Sequence, residues 1–123
     1  MRRRLLLGAC ILLAGCGGKP TAEWLAELKG KDSAQRLRAI KALGGRRSEA
    51  ATVVPALAQA LEDDDAFVRR DAARALGRIG PPAAPAVPAL RVAAQDRNQP
   101  VRQAATEALR KVAPDLPPET GGR

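Results

Sequence analysis

The chain has 123 residues and a formal net charge of +8, and 46% of it is hydrophobic but only 2% aromatic, so its folded part is one modest domain built from Ala, Leu and Val. Side chains this small let helices approach closely, and they leave a sandwich or barrel without the β-branched and aromatic residues its strands need. With no His, no Tyr and cysteines only at Cys10 and Cys16, the composition excludes Ser-His and Cys-His catalytic pairs and the usual zinc, copper and iron ligand sets. No cofactor, metal or small-molecule substrate is expected, and the chain does not read as an enzyme. Asp63-Asp64-Asp65 offers carboxylates, but acid–base work needs one member desolvated in a pocket, and an acidic run in a loop reads as solvated.

At the amino end, Arg2-Arg3-Arg4 precedes an apolar stretch from Leu5 to Ala14, then Gly15 and Cys16, which is the basic, hydrophobic and small-residue order of a secretory signal. The stretch is too short to span a bilayer, which takes roughly 20 residues as a helix. Leu13-Ala14-Gly15-Cys16 resembles the lipobox of bacterial lipoproteins in all four positions. That resemblance implies cleavage after residue 15, lipidation of Cys16, and a protein exported and anchored to a bacterial membrane. With Gly17 rather than Asp after the cysteine, enterobacterial-type sorting would send it to the outer membrane. Several buried acyl chains hold a protein where one would let go. Loss of residues 1–15 leaves 18 basic against 13 acidic residues, a net charge of +5. Residues 16–21 form a short tether.

From residue 22 to 113 the sequence repeats every 33 positions without insertions. Trp24, Leu57 and Leu90 are in register, as are Leu28, Leu61 and Ala94; Asp32, Asp65 and Asn98; Arg36, Arg69 and Arg102; Ala39, Ala72 and Ala105; and Leu43, Leu76 and Leu109. In the second unit Val68, Ala72, Ala75, Leu76 and Ile79 make one helical stripe, and a shorter partner helix carries Val54, Leu57, Ala58 and Leu61. Pro55 and Pro88 are placed near the first turn of that partner, where a missing N–H is harmless. Gly44-Gly45, Gly77 and Gly80 punctuate the long helices, and Pro81-Pro82 forbids continuation. Each unit is thus a helical hairpin that cannot bury its stripe alone, and three in a row make one core. Trp24 and Phe67 are placed in that core.

The segments from Val54 to Gly80 and from Val87 to Arg102 resemble HEAT repeats, of the short type also found in phycobilisome-lyase proteins. The first unit departs from the pattern, with Gln35 where Val68 and Val101 stand. The resemblance implies an all-α solenoid of about three hairpins. It also implies a ladder between repeats in which Asp32 joins Arg36, Asp65 joins Arg69, and Asn98 joins Arg102, the last rung weakened by its missing charge. Recurrence in every unit makes these residues structural rather than catalytic. Arg70, Arg74 and Arg78 form a basic ridge on the second long helix. By the same resemblance they line the concave face with Lys41, as candidate contacts for an acidic partner. In the third unit Gln103, Glu107 and Lys111 take those places, so the ridge does not persist.

The tail, residues 114–123, is rich in Pro and Gly and is expected to lack structure. Nucleic acid is not an expected partner, since export and the absence of stacking tyrosines both argue against it. The expected role is a membrane-anchored protein-binding scaffold in the cell envelope. Two alternatives differ in kind. One is a lyase-like enzyme or chaperone related to the phycobilisome-lyase proteins. The other is a self-assembling envelope protein, favoured if the ends of so short a stack are incompletely capped.

Overall fold

A computed structural model describes residues 18–117. The signal segment 1–15, the lipidation candidate Cys16 and the last part of the tail, 118–123, lie outside the described residues. Among the described residues there are six α-helices and no strand: α1 (Thr21–Glu27), α2 (Ser33–Leu43), α3 (Ala50–Ala60), α4 (Ala66–Ile79), α5 (Val87–Ala93) and α6 (Gln99–Val112). They pair as three hairpins, α1 with α2, α3 with α4 and α5 with α6, and the long members α2, α4 and α6 pack in sequence along one side. The fold is the α-solenoid that the 33-residue period calls for.

Each long helix starts the same way. Asp32, Asp65 and Asn98 hold an extended backbone at the N-cap and accept a hydrogen bond from a first-turn amide: Ala34 at 3.1 Å, Phe67 at 2.8 Å and Val101 at 3.2 Å. A short polar side chain at this point satisfies an amide that the helix leaves unpaired. The middle long helix ends at Gly80, whose φ of +77° is open to glycine at little strain, and Pro81-Pro82 turns the chain into a 3₁₀ segment (Pro81–Ala86) leading to α5.

The stripe expected on α4 is fully buried, and Ile40, Leu43, Leu57, Leu76, Ile79 and Leu90 form the bulk of one continuous core. The long helices meet through small residues. A Cβ on Gly44 would come within 2.9 Å of the Ala75 Cβ, and one on Gly77 within 3.2 Å of the Ala108 Cα. Those two contacts are the same contact one period apart.

Three expectations are corrected. Pro55 is not in a first turn: a 3₁₀ turn at Arg47–Glu49 runs straight into α3, which opens at Ala50 and leaves Pro55 inside the helix with its ring exposed. The lost bond falls on the carbonyl of Ala51, itself exposed, so water can take it. Pro88 does occupy the start of α5. Phe67 is not in the core; it is 61% exposed at the start of α4, with the Arg70 guanidinium 5.2 Å from its ring centre. Trp24 is only half-buried, against the core's edge, with Lys19 4.9 Å above its ring.

The outward sides of the first and third hairpins are more polar than the joints between hairpins. Where the middle unit buries Leu61, Ala73 and Gly77 under the third, the third carries Ala94, exposed Thr106 and exposed Arg110. Where the later units bury Val68 and Ile79 or Val101 and Val112, the first carries Gln35 and Arg46. Polar residues on both outward sides let each meet water.

Candidate functional site

The arginines of the repeat do form a ladder, but with different acids from those expected. Arg69 is 8% exposed; its Nε and NH2 donate to the two carboxylate oxygens of Asp96 at 2.8 and 3.2 Å, and its NH1 donates to the carbonyls of Asp63 and Asp64. Arg36 repeats the scheme one unit earlier, with NH2 donating to Asp63 at 3.2 Å, Nε 2.9 Å from the other carboxylate oxygen but off line, and NH1 donating to the carbonyls of Gly30 and Lys31. Arg102 donates from NH1 to the carbonyl of Asp96. Each arginine therefore ties off its own interhelical turn, and the first two also reach a carboxylate in the next. Asp32, Asp65 and Asn98 are helix caps, and Asn98 weakens no rung because the acid of the last rung is Asp96. The caps face their own helix, two residues beyond the position from which a side chain meets the preceding arginine.

Bidentate pairing with Arg69 holds the Asp96 carboxyl below the usual aspartate range; burial opposes this, and the backbone N–H of Asn98 and the charges of Arg69 and Arg97 assist it. A depressed folded-state value means stability that is complete above the unfolded aspartate value of about 3.9 and is lost as pH falls through the lower folded value. The urea midpoint of the wild type is accordingly expected to fall below about pH 4 more steeply than that of Asp96→Asn. Parallel pH profiles for the two proteins would contradict the assignment.

The basic ridge is only partly free. Arg70 is engaged by Asp71 at 2.9 Å and by the Phe67 ring. Arg74 stands 3.9 Å from the same carboxylate, with its side chain 62% exposed. Arg78 is exposed, and its guanidinium comes near Gly44 on the neighbouring long helix. Lys41 is exposed on α2, as is Arg38, a cation with no counterpart in the other units, where Asp71 and Ala104 take its place. On α6, Glu107 and Lys111 pair at 3.3 Å. The long-helix surface thus presents Arg38, Lys41, Arg74 and Arg78 to solvent, with Phe67 at its edge.

A second feature was not foreseen. Arg46 donates to the Lys19 carbonyl at 2.6 Å and to the Thr21 hydroxyl at 2.9 Å, and Lys19 pairs with Glu27 while lying over Trp24. The chain is pinned to the first hairpin from residue 19 onward. Among the described residues no group of three or more Asp, Glu, Cys or His is placed to hold a metal, and no helix is long and apolar enough to cross a membrane.

Over residues 21–110 the sequence matches the family described as HEAT repeats. Among solved structures it is similar to the complex of CpcE and CpcF of phycocyanin lyase from Nostoc sp. PCC7120, with a TM-score of 0.70 and 33% identity over 76% of this chain. The chain spans 37% of the length of the chain it matches there. No curated protein matches.

Proposed function

The chain belongs to the HEAT-repeat family, and from that premise we propose that it is a lipid-anchored binding module, which offers the surface of its long helices to another protein of the cell envelope. The observation that carries the binding half is that surface itself: three helices locked in register by a shared core and a charged ladder, with Arg38, Lys41, Arg74 and Arg78 exposed on two of them. A rigid face with four exposed cations on two adjacent helices favours an acidic partner, because little freedom is lost on binding and charge steers the encounter. Site-specific photocrosslinking in the native envelope tests it. Arg74→Glu/Arg78→Glu is expected to remove the wild-type adduct while leaving the far-ultraviolet dichroism intact. An unchanged adduct would count against this face.

The anchoring half rests on the four-residue match ending at Cys16. Two residues, Gly17 and Gly18, separate Cys16 from Lys19, where the chain is already tied down, so three steps at about 3.5 Å per residue would keep the first hairpin within roughly 10 Å of the lipid surface. Cys16→Ser is expected to shift the protein from the membrane to the soluble fraction. Continued sedimentation with membranes would remove the lipoprotein reading and leave the binding face untouched.

The likeness to a phycocyanin lyase complex favours a second reading, a lyase-like enzyme or chaperone related to that complex. Bilin addition followed by visible absorbance separates the two: a shifted, protein-bound spectrum supports the second reading, and an unaltered one the first.

A further inference from the structure

Two of the three ladder arginines end on a carboxylate of the next hairpin, and the third does not. Arg36 meets Asp63 and Arg69 meets Asp96, whereas half-buried Arg102 has the Asp96 carbonyl at 2.7 Å and no carboxylate among the described residues. It borders an open groove on the last face of the stack, beside Gln103, Thr106 and Arg110. The groove's own acid, Glu107, is engaged by Lys111. This face therefore holds a guanidinium in the setting from which its two counterparts grip an aspartate, with a second exposed cation alongside.

We propose that this face docks a helical hairpin of a different protein, whose interhelical turn offers an aspartate to Arg102 and so continues the stack by one unit. The idea rests on the binding-module reading but concerns another surface. Charge selects the occupant. A second copy of this chain, stacked head to tail in the 33-residue register, would bring position 30 to Arg102, and Gly30 stands where Asp63 and Asp96 stand. The same copy would set Arg46, in the place of buried Ile79 and Val112, toward a face that already carries Arg102 and Arg110. Like charges facing one another oppose association, so the partner must supply the acid. Arg110 also occupies the place of Gly44 and Gly77, the small residues that admit the next long helix. The docked hairpin stands further out than an internal one, and the contact is correspondingly reversible.

The full chain is tested with a defined acidic hairpin joined to it: its own residues 81–113, inserted a second time between Ala113 and Pro114, so that the added copy of Asp96 faces Arg102. In urea unfolding, Arg102→Gln is expected to lower the folding constant of the extended chain at least tenfold and that of the parent less than threefold. Replacing the added aspartate by asparagine should produce the same loss, and the double variant no further loss. Equal effects of Arg102→Gln in parent and extended chains would overturn the proposal, as would coupling that appears only when Arg110→Gly is also present. Sedimentation of the parent provides the remaining arm: a monomer supports a foreign partner, while a dimer dissolved by Arg102→Ala would overturn that choice in favour of a second copy. Loss of the Arg74→Glu/Arg78→Glu effect on crosslinking bears on the long-helix face alone, so failure of either idea is distinguishable from failure of the other.

Discussion

Leu76→Ala is expected to destabilise the chain by about 2–5 kcal/mol, the range for removing a buried leucine from a core that cannot collapse onto the gap. Leu76 is fully buried on α4, the helix flanked on both sides by a long neighbour. A domain of this size has roughly 5–15 kcal/mol in total, so the variant should unfold at a visibly lower urea concentration or lose cooperativity. Val92→Ala supplies the control, because Val92 is 74% exposed and a change there should stay within about 0.5 kcal/mol. Comparable midpoints for the two variants would mean that the long helices do not share one closed seam.

The second large effect is expected at the Arg69–Asp96 rung. Asp96→Ala leaves a guanidinium that is 8% exposed with two carbonyls but no counter-charge, and stranding a buried charge costs about 3 kcal/mol or more. Arg69→Met/Asp96→Leu, which removes both charges and keeps the volume, should recover much of the loss, since replacing a buried ion pair by apolar residues is often close to neutral. The measurement is a double-mutant cycle by chemical denaturation, with exposed Asp64→Ala beside it. If Asp96→Ala costs no more than Asp64→Ala, the rung is decoration.

The three hairpins were legible in the sequence because burial imposes its period directly: Ala39, Ala72 and Ala105 lie on the same dry seam, and so they recur. The acids of the ladder were not, for a reason that lies in the ends of the stack. Their column reads Gly30, Asp63, Asp96, and the first unit has no preceding arginine among the described residues to answer. The column Asp32, Asp65, Asn98 is more uniform because every long helix needs a cap, and the ladder role that the resemblance implies for it belongs to the less uniform column two residues earlier. Phe67 was misplaced for a related reason. Its register partners are Ala34 and Pro100, both exposed, and an aromatic residue in a sequence with so few was assigned to the core on type rather than on position. Of the ridge, Lys41, Arg74 and Arg78 could be read from spacing, while the engagement of Arg70 depends on Asp71 next to it turning the same way.

The two complete rungs differ in quality, and that difference orders the stack mechanically. Arg69, on a helix of 14 residues, grips Asp96 with two aligned bonds, whereas Arg36, on a helix of 11, meets Asp63 with one. Under tension between its two ends the molecule would part at the earlier joint, peeling off the hairpin nearest Lys19 and leaving the other two clasped. A tug from the amino-terminal side would thus be absorbed by the first hairpin before it reached the half of the cationic face that Arg74 and Arg78 form.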